Sequence, residues 1–196
     1  AQHMAIGYYL ATGRPQLTMH HVNVGTANAL NGLLNAARGQ VPMLFTAGRT
    51  PINEDTLKGH RTLDIHWTQE MFDQAAMTRE SVKWEYELRN AEQLETIVDR
   101  MIAVSMSDPK GPVYLSLPRE VLSRELEKFT FTSPSRMRPA SPSAPSPAAL
   151  DEAASILARA QHPIIISNWA GRNPEVMPAL TALAERYAIP VVEYRN

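Results

Sequence analysis

The amino-acid sequence predicts an α/β protein: a mostly parallel sheet flanked by helices, followed by the start of a second α/β unit. Three observations predict it. Apolar runs without polar alternation, at 42–47 and 111–118, suit strands covered on both faces. These runs alternate with segments whose apolar residues recur every three or four positions, as in helices that cross between parallel strands. From 133 to 147 the composition turns to Pro, Ser, Ala and Arg, which makes an extended, semi-rigid linker between two such series.

In chain order, residues 1–12 read as a helix stopped by Gly13. Residues 17–22 read as a buried strand. Ala27, Leu30, Leu34 and Ala37 form one helix face, with Thr26 expected as its cap and Gly39 as its end. The run at 42–47 is the next strand, closed by Gly48. Residues 48–78 show no clean period and carry Arg49, Gly59, His60, Arg61, His66 and Trp67; so long an irregular excursion is usually functional or a subunit contact. Val82, Trp84 and Tyr86 alternate with charges over 81–88 as in a half-exposed strand. Asn90 caps a helix whose apolar face is Leu94, Ile97, Val98, Met101 and Ile102, with Gln93 in capping-box position. The strand at 111–118 lies between two prolines. Beyond the linker, with its prolines at 134, 139, 142, 145 and 147, Ser146 caps a helix that has Pro147 at its first position. Leu150, Ala153, Leu157 and Ala160 are expected to face inward. A strand at 163–167 follows, then a helix opened by Asn173-Pro174 with Val176, Leu180, Leu183 and Tyr187 inward, then a strand at 190–194.

Composition narrows the function. The 196 residues are 44% hydrophobic and 20% charged, as in globular proteins, and the formal net charge is -1. That charge gives no electrostatic case for nucleic acid or an anionic membrane. No run is long enough to span a membrane and no signal peptide is present, so the expected location is cytoplasmic, which the absence of cysteine fits. Ala1 opens on helix already in progress and the last strand ends at the chain terminus, so the sequence reads as a piece of a longer protein.

At the centre stands His20-His21-Val22-Asn23-Val24-Gly25-Thr26-Ala27-Asn28, a strand, a small-residue turn and a helix in that order, where backbone N–H groups at a helix start can face a ligand. Around it, in order, lie Gly7-Tyr8-Tyr9-Leu10-Ala11-Thr12-Gly13, Asn35-Ala36-Ala37, Pro42-Met43-Leu44-Phe45-Thr46-Ala47-Gly48, Gln69-Glu70, Lys83-Trp84, Gly111-Pro112-Val113-Tyr114-Leu115 and Pro118-Arg119-Glu120-Val121. Ala158-Arg159-Ala160, Pro163-Ile164-Ile165-Ile166 and Ile189-Pro190-Val191-Val192 complete the series. This ordered set resembles the thiamine-diphosphate-dependent enzymes of the acetolactate synthase, pyruvate oxidase and benzoylformate decarboxylase type.

The resemblance implies that residues 1–127 are most of a pyrimidine-binding domain lacking its start, 128–147 a linker, and 148–196 the first part of a Rossmann-like central domain. It implies thiamine diphosphate and Mg²⁺ as cofactors, with FAD in some members, a 2-oxo acid as substrate, and a homodimer or homotetramer. The Gly-Asp-Gly…Asn motif that grips Mg²⁺ and the diphosphate has no match here, and the activating glutamate is expected just before Ala1. The chain alone is therefore expected to be inactive.

By the same resemblance Val24, Gly25 and Asn28 align with the turn along the aminopyrimidine, where a Cβ at Gly25 would obstruct close approach. Asn23 and Val24 replace the usual Gly and Pro. His21, nearer the turn than His20, is the candidate to orient a carboxylate or carry a proton. Gln69 matches a glutamine near the active-site mouth, although Thr68 replaces the aromatic. The bland alternatives are a capped turn, a core histidine and a solvated glutamine. The spacing of His60, Asp64 and His66 fits no helical or strand ligand pair, so no metal site is expected. Arg49 and Arg61 are candidate anion ligands; Trp67, Phe72 and Trp84 read as interface or core. The rival reading is a non-catalytic α/β binding or assembly module using 48–78. A nucleotide-binding Rossmann domain is disfavoured because no G-x-G-x-x-G follows a strand.

Overall fold

A computed structural model of the protein describes residues 1–132 and 137–194. The expected linker residues 133–136, Pro134 among them, lie outside the described residues. The chain divides after Pro142 into two compact units.

The first unit is a four-stranded parallel sheet with helices on both faces. Helix α1 (Gln2–Thr12) ends at Gly13, whose φ of 69° is the left-handed stop expected of it. Strand β1 (Gln16–His20) leads into α2 (Val22–Arg38), then β2 (Met43–Arg49). The irregular stretch holds only two single turns of helix, α3 (Ile65–Thr68) and α4 (Ala76–Arg79). Strand β3 (Glu85–Glu87) is shorter than the alternation over 81–88 suggests, because only these residues register with β4 (Val113–Pro118). Between them Asn90 caps a 3-10 turn through its side chain and runs into α5 (Leu94–Met106). A last turn, α6 (Arg119–Leu122), follows β4. The strand order is β1-β2-β4-β3, all parallel.

Helices α1 and α2 cover one face of this sheet, where Ala5, Tyr9, Leu33, Ala36, Phe45 and Tyr114 pack together. Helix α5 covers the other through Ile97 and Met101 against Leu44, Val113 and Leu115. Burying each large apolar side chain contributes ~1.5–3 kcal/mol, so these two clusters fix which strands lie central. Strands β2 and β4 are accordingly buried, as their unalternating sequences predict. The expectation for β1 needs correction. It is an edge strand, and Leu17 and Met19 are 57% and 64% exposed because α5 does not reach their face.

A second correction concerns α2. The strand ends at His20, and the helix starts at Val22, five residues before Ala27. Thr26 is therefore no cap: it lies inside the helix and its hydroxyl donates back to the Val22 carbonyl at 2.7 Å. The turn is made by His21, extended at φ -83°, and Val22, at φ 38°. A β-branched residue in the left-handed region carries strain, which is why no propensity rule places the helix start there.

In the second unit Ser146 caps α7 (Pro147–Arg159) by accepting the Ala149 N–H, with Pro147 at the first position as expected. Strand β5 (Ile165–Ser167), helix α8 (Val176–Tyr187) and strand β6 (Val191–Glu193) follow, with β5 and β6 parallel. The apolar faces expected to point inward do not close: Leu150, Ala153, Leu157, Val176, Leu183 and Tyr187 are exposed. Two three-residue strands offer too little surface to cover helices of thirteen and twelve residues.

Candidate functional site

Ligands of open parallel sheets bind beyond the carboxyl ends of the strands. The β1 end delivers His20 and His21 there, and their side chains part. His20 stacks on Phe45 with ring centroids 4.4 Å apart, and its Nε2 lies 3.1 Å from the Gln2 amide and from the Thr18 hydroxyl. Burial, helped by the Ala1 amino group, holds its pKa below the ordinary value. It is a packed structural histidine. His21 is exposed at the head of α2, and its Nε2 lies 3.4 Å from the Gln69 Nε2, which comes from the irregular stretch. The structure thus brings together the two candidates, 48 positions apart.

Beside this pair runs an open groove. One wall is the first turns of α2, presenting Asn23, Val24, Ala27 and Asn28, and the other is Met71 and Met77. Val24 is 58% exposed although apolar. Four apolar side chains and two amides suit a flat, heteroatom-bearing ring: an apolar face to cover it, Asn28 to meet its edge. Gly25 stands behind the wall. A Cβ on it would lie 3.1 Å from the His20 carbonyl carbon and 3.2 Å from the His20 Cβ. Its missing side chain therefore lets the helix start press against the strand end, a role that sequence alone does not separate from ligand approach.

The arginines singled out above are engaged within the chain. Arg61 is buried; its Nε donates to the Pro51 carbonyl at 2.7 Å, its Nη2 pairs with Glu70, and it lies 5.4 Å over the Trp67 ring. Arg49 is ion-paired with Glu87. Both brace the irregular stretch and its surroundings. His66 Nδ1 accepts the Thr62 N–H at 3.1 Å, and His60 Nδ1 donates to the Leu57 carbonyl at 2.7 Å. Among the described residues no three His, Cys, Asp or Glu side chains gather to hold a metal ion. Trp84 stacks on Tyr86, both half-buried against the α5 side of the core, Trp67 is half-exposed, and Phe72 is fully exposed.

One residue that the sequence does not flag is held from two sides. Gln74 is buried and its Nε2 donates to the Gly48 carbonyl at 2.9 Å and the Tyr114 hydroxyl at 2.8 Å. Burial pushes the Tyr114 phenol above its ordinary pKa. Gln74 carries no local signal, since its partners are 26 and 40 positions away.

Residues 1–77 match the family described as thiamine pyrophosphate enzyme, N-terminal TPP binding domain. The chain is 28% identical over 188 residues to sulfoacetaldehyde acetyltransferase of Rhodobacter capsulatus, covering 96% of this chain and 30% of that protein. It is 26% identical over 190 residues to benzoylformate decarboxylase of Pseudomonas aeruginosa, covering 95% and 34% respectively. Its fold matches that of a thiamine diphosphate-dependent 4-hydroxybenzoylformate decarboxylase from Rhodococcus jostii with a TM-score of 0.78 at 24% identity, over 97% of this chain and 34% of that one. The chain thus spans about a third of the length of these relatives. No helix among the described residues is long and apolar enough to cross a membrane. With a cofactor-domain family matched over residues 1–77, relatives that align almost end to end with this chain and a shared fold, the chain carries the N-terminal TPP binding domain of the thiamine pyrophosphate enzymes.

Proposed function

We propose that these residues form the pyrimidine-binding part of an enzyme that uses thiamine diphosphate to decarboxylate a 2-oxo acid, with or without a following carboligation. The observation that carries this reading is the meeting of His21 and Gln69 at 3.4 Å beside the groove of Val24 and Asn28. When bound, thiamine diphosphate supplies a nucleophilic carbon and an electron sink. The chain's own residues position and exclude. Val24, Met71 and Met77 cover the ring and keep water off it, and Asn28 meets its edge. Gly25 holds the α2 start tight against β1 so that this wall keeps its shape. His21, oriented by Gln69, accepts or returns a proton or binds the substrate carboxylate.

In this reading Mg²⁺, the diphosphate, any FAD and the activating glutamate are held by other parts of the protein, and the site is completed in a homodimer or homotetramer. Calorimetric titration of the complete reading frame with thiamine diphosphate and Mg²⁺, followed by CO₂ release from pyruvate or benzoylformate, tests it. Binding with 2-oxo-acid-dependent CO₂ is expected, and no binding refutes it. The 196-residue chain alone is expected to show no turnover; turnover by it refutes the division of labour. The fully exposed Phe72, with exposed Leu63 and Ile65 on the same irregular stretch, favours a second reading as a non-catalytic assembly module. Silence in both assays with retained partner binding selects it.

A further inference from the structure

The acid just beyond β4 reaches across to the irregular stretch. Glu120, in the single turn α6, accepts the backbone N–H groups of Ile52 at 2.6 Å and Asn53 at 2.9 Å, and the Asn53 side-chain amide at 3.2 Å. All three donors meet one carboxylate oxygen. Burial works against the charge, but these donors hold the carboxyl below its ordinary pKa, and hydrogen bonds to an ionised acceptor are the strong kind. Arg61 grips the same tripeptide from its carbonyl side. Its backbone N–H donates to the Asn53 carbonyl at 2.8 Å and its Nε to the Pro51 carbonyl at 2.7 Å. Both N–H groups and two of the three carbonyls of residues 51–53 are thus engaged, although Ile52 and Asn53 are exposed. Exposed loops open readily unless such bonds hold them, and this one is held from two sides. The Arg61 guanidinium carries the fixed position onward, since its Nη2 pairs with Glu70, the residue after Gln69. The groove wall of Met71 and Met77 flanks Gln74, which has its own anchors on the Gly48 carbonyl and the Tyr114 hydroxyl.

We propose that Glu120 is a positioning residue for Gln69: it fixes residues 52–53, against which Arg61 aligns and holds Glu70, so that Gln69 stands against His21. The proposal rests on the catalytic reading above. Glu120 itself touches neither member of the pair, so its effect passes through the backbone of 51–70 and not through contact with substrate.

The test uses the complete reading frame with Glu120→Ala, Gln69→Ala, their double variant, and Glu125→Ala as control. Glu125 also reaches the irregular stretch, through Lys58, but that ion pair is exposed and such pairs contribute little. Glu120→Ala should lower kcat/KM for the 2-oxo acid about tenfold below Glu125→Ala, with binding of thiamine diphosphate unchanged. The double variant should be no worse than Gln69→Ala alone, because both changes act through one contact. A double-variant loss equal to the product of the two single losses places the effect of Glu120 elsewhere, and the proposal fails. Independently of turnover, the hydrogen-bonded amides of Arg61, Gln69 and Glu70 should exchange faster in Glu120→Ala and stay unchanged in Glu125→Ala. Exchange that quickens only at 52–53, where the acid is lost directly, makes Glu120 a local latch and overturns the proposal. If Glu120→Ala does not fold, Glu120→Gln, which loses the charge and keeps one acceptor oxygen, is held to the same outcomes. A wild-type protein that never binds thiamine diphosphate sinks the catalytic reading instead, while the exchange result still judges the link from Glu120 to Gln69.

Discussion

Gly32 gives a prediction whose sign separates packing from helix propensity. It lies in the middle of α2, where replacing glycine by alanine ordinarily stabilises a helix by ~1 kcal/mol. Here a Cβ would sit 2.4 Å from the Gln2 Cβ and 2.9 Å from its Cγ, where carbon contacts need roughly 3.5–4.0 Å. The obstruction is the root of a side chain, so α1 itself must move by about 1 Å. Overpacking of that kind costs ~1–3 kcal/mol. Moving Gln2 also disturbs its contact with His20 at 3.1 Å, a further ~0.5–1.5 kcal/mol. The costs outweigh the gain, and Gly32→Ala should destabilise by about 1–3 kcal/mol. Urea denaturation followed by circular dichroism reads this as a lowered midpoint at unchanged slope. Gly7 is the internal contrast, since nothing lies within 4 Å of its would-be Cβ and Gly7→Ala should raise stability by ~0.5–1 kcal/mol. A stabilised Gly32→Ala would refute the α1–α2 contact described above.

Three further outcomes follow. His21→Asn in the complete enzyme should lower kcat/KM by roughly 10²-fold or more while leaving the melting temperature unchanged, because the imidazole is exposed; an unaltered rate removes His21 from the chemistry. Arg61→Met should cost about 1–3 kcal/mol locally, since it strands the Pro51 carbonyl and frees Glu70, and limited proteolysis within 51–70 should speed up. His20 resists protonation when folded, so the unfolded chain takes up the proton first as pH falls below the ordinary value of 6.5, and stability drops from there toward the lowered folded value. His20→Gln should flatten that part of the stability profile; an unchanged slope would contradict the burial of the ring.

Local signals in the sequence located the elements whose chemistry is itself local. Gly13 stops α1, Ser146 and Pro147 start α7, and the unbroken apolar runs mark β2 and β4. His21 and Gln69 were legible as candidates through the order of surrounding segments, and they meet in space. The start of α2 was not legible. Glycine at 25 and β-branched residues at 22 and 24 all argue against a first helical turn, and only tertiary contacts hold it. Arg61 resembles any surface arginine until its four neighbours are known. Periodicity marked the apolar faces of α7 and α8 correctly, but it says nothing about whether a partner surface is there to cover them.

The bare rim of β1 governs how this polypeptide behaves at concentration. Its five residues, Gln16 to His20, hold neither a lysine, an acid nor a proline, the usual guards against strand-to-strand addition. One flank also offers Leu17 and Met19 to any passing neighbour. A strand so unprotected is a template for adventitious pairing, and purified preparations of this length should cloud as they are concentrated. A single lysine at position 17 would add the missing guard without touching the face that carries Thr18 and His20.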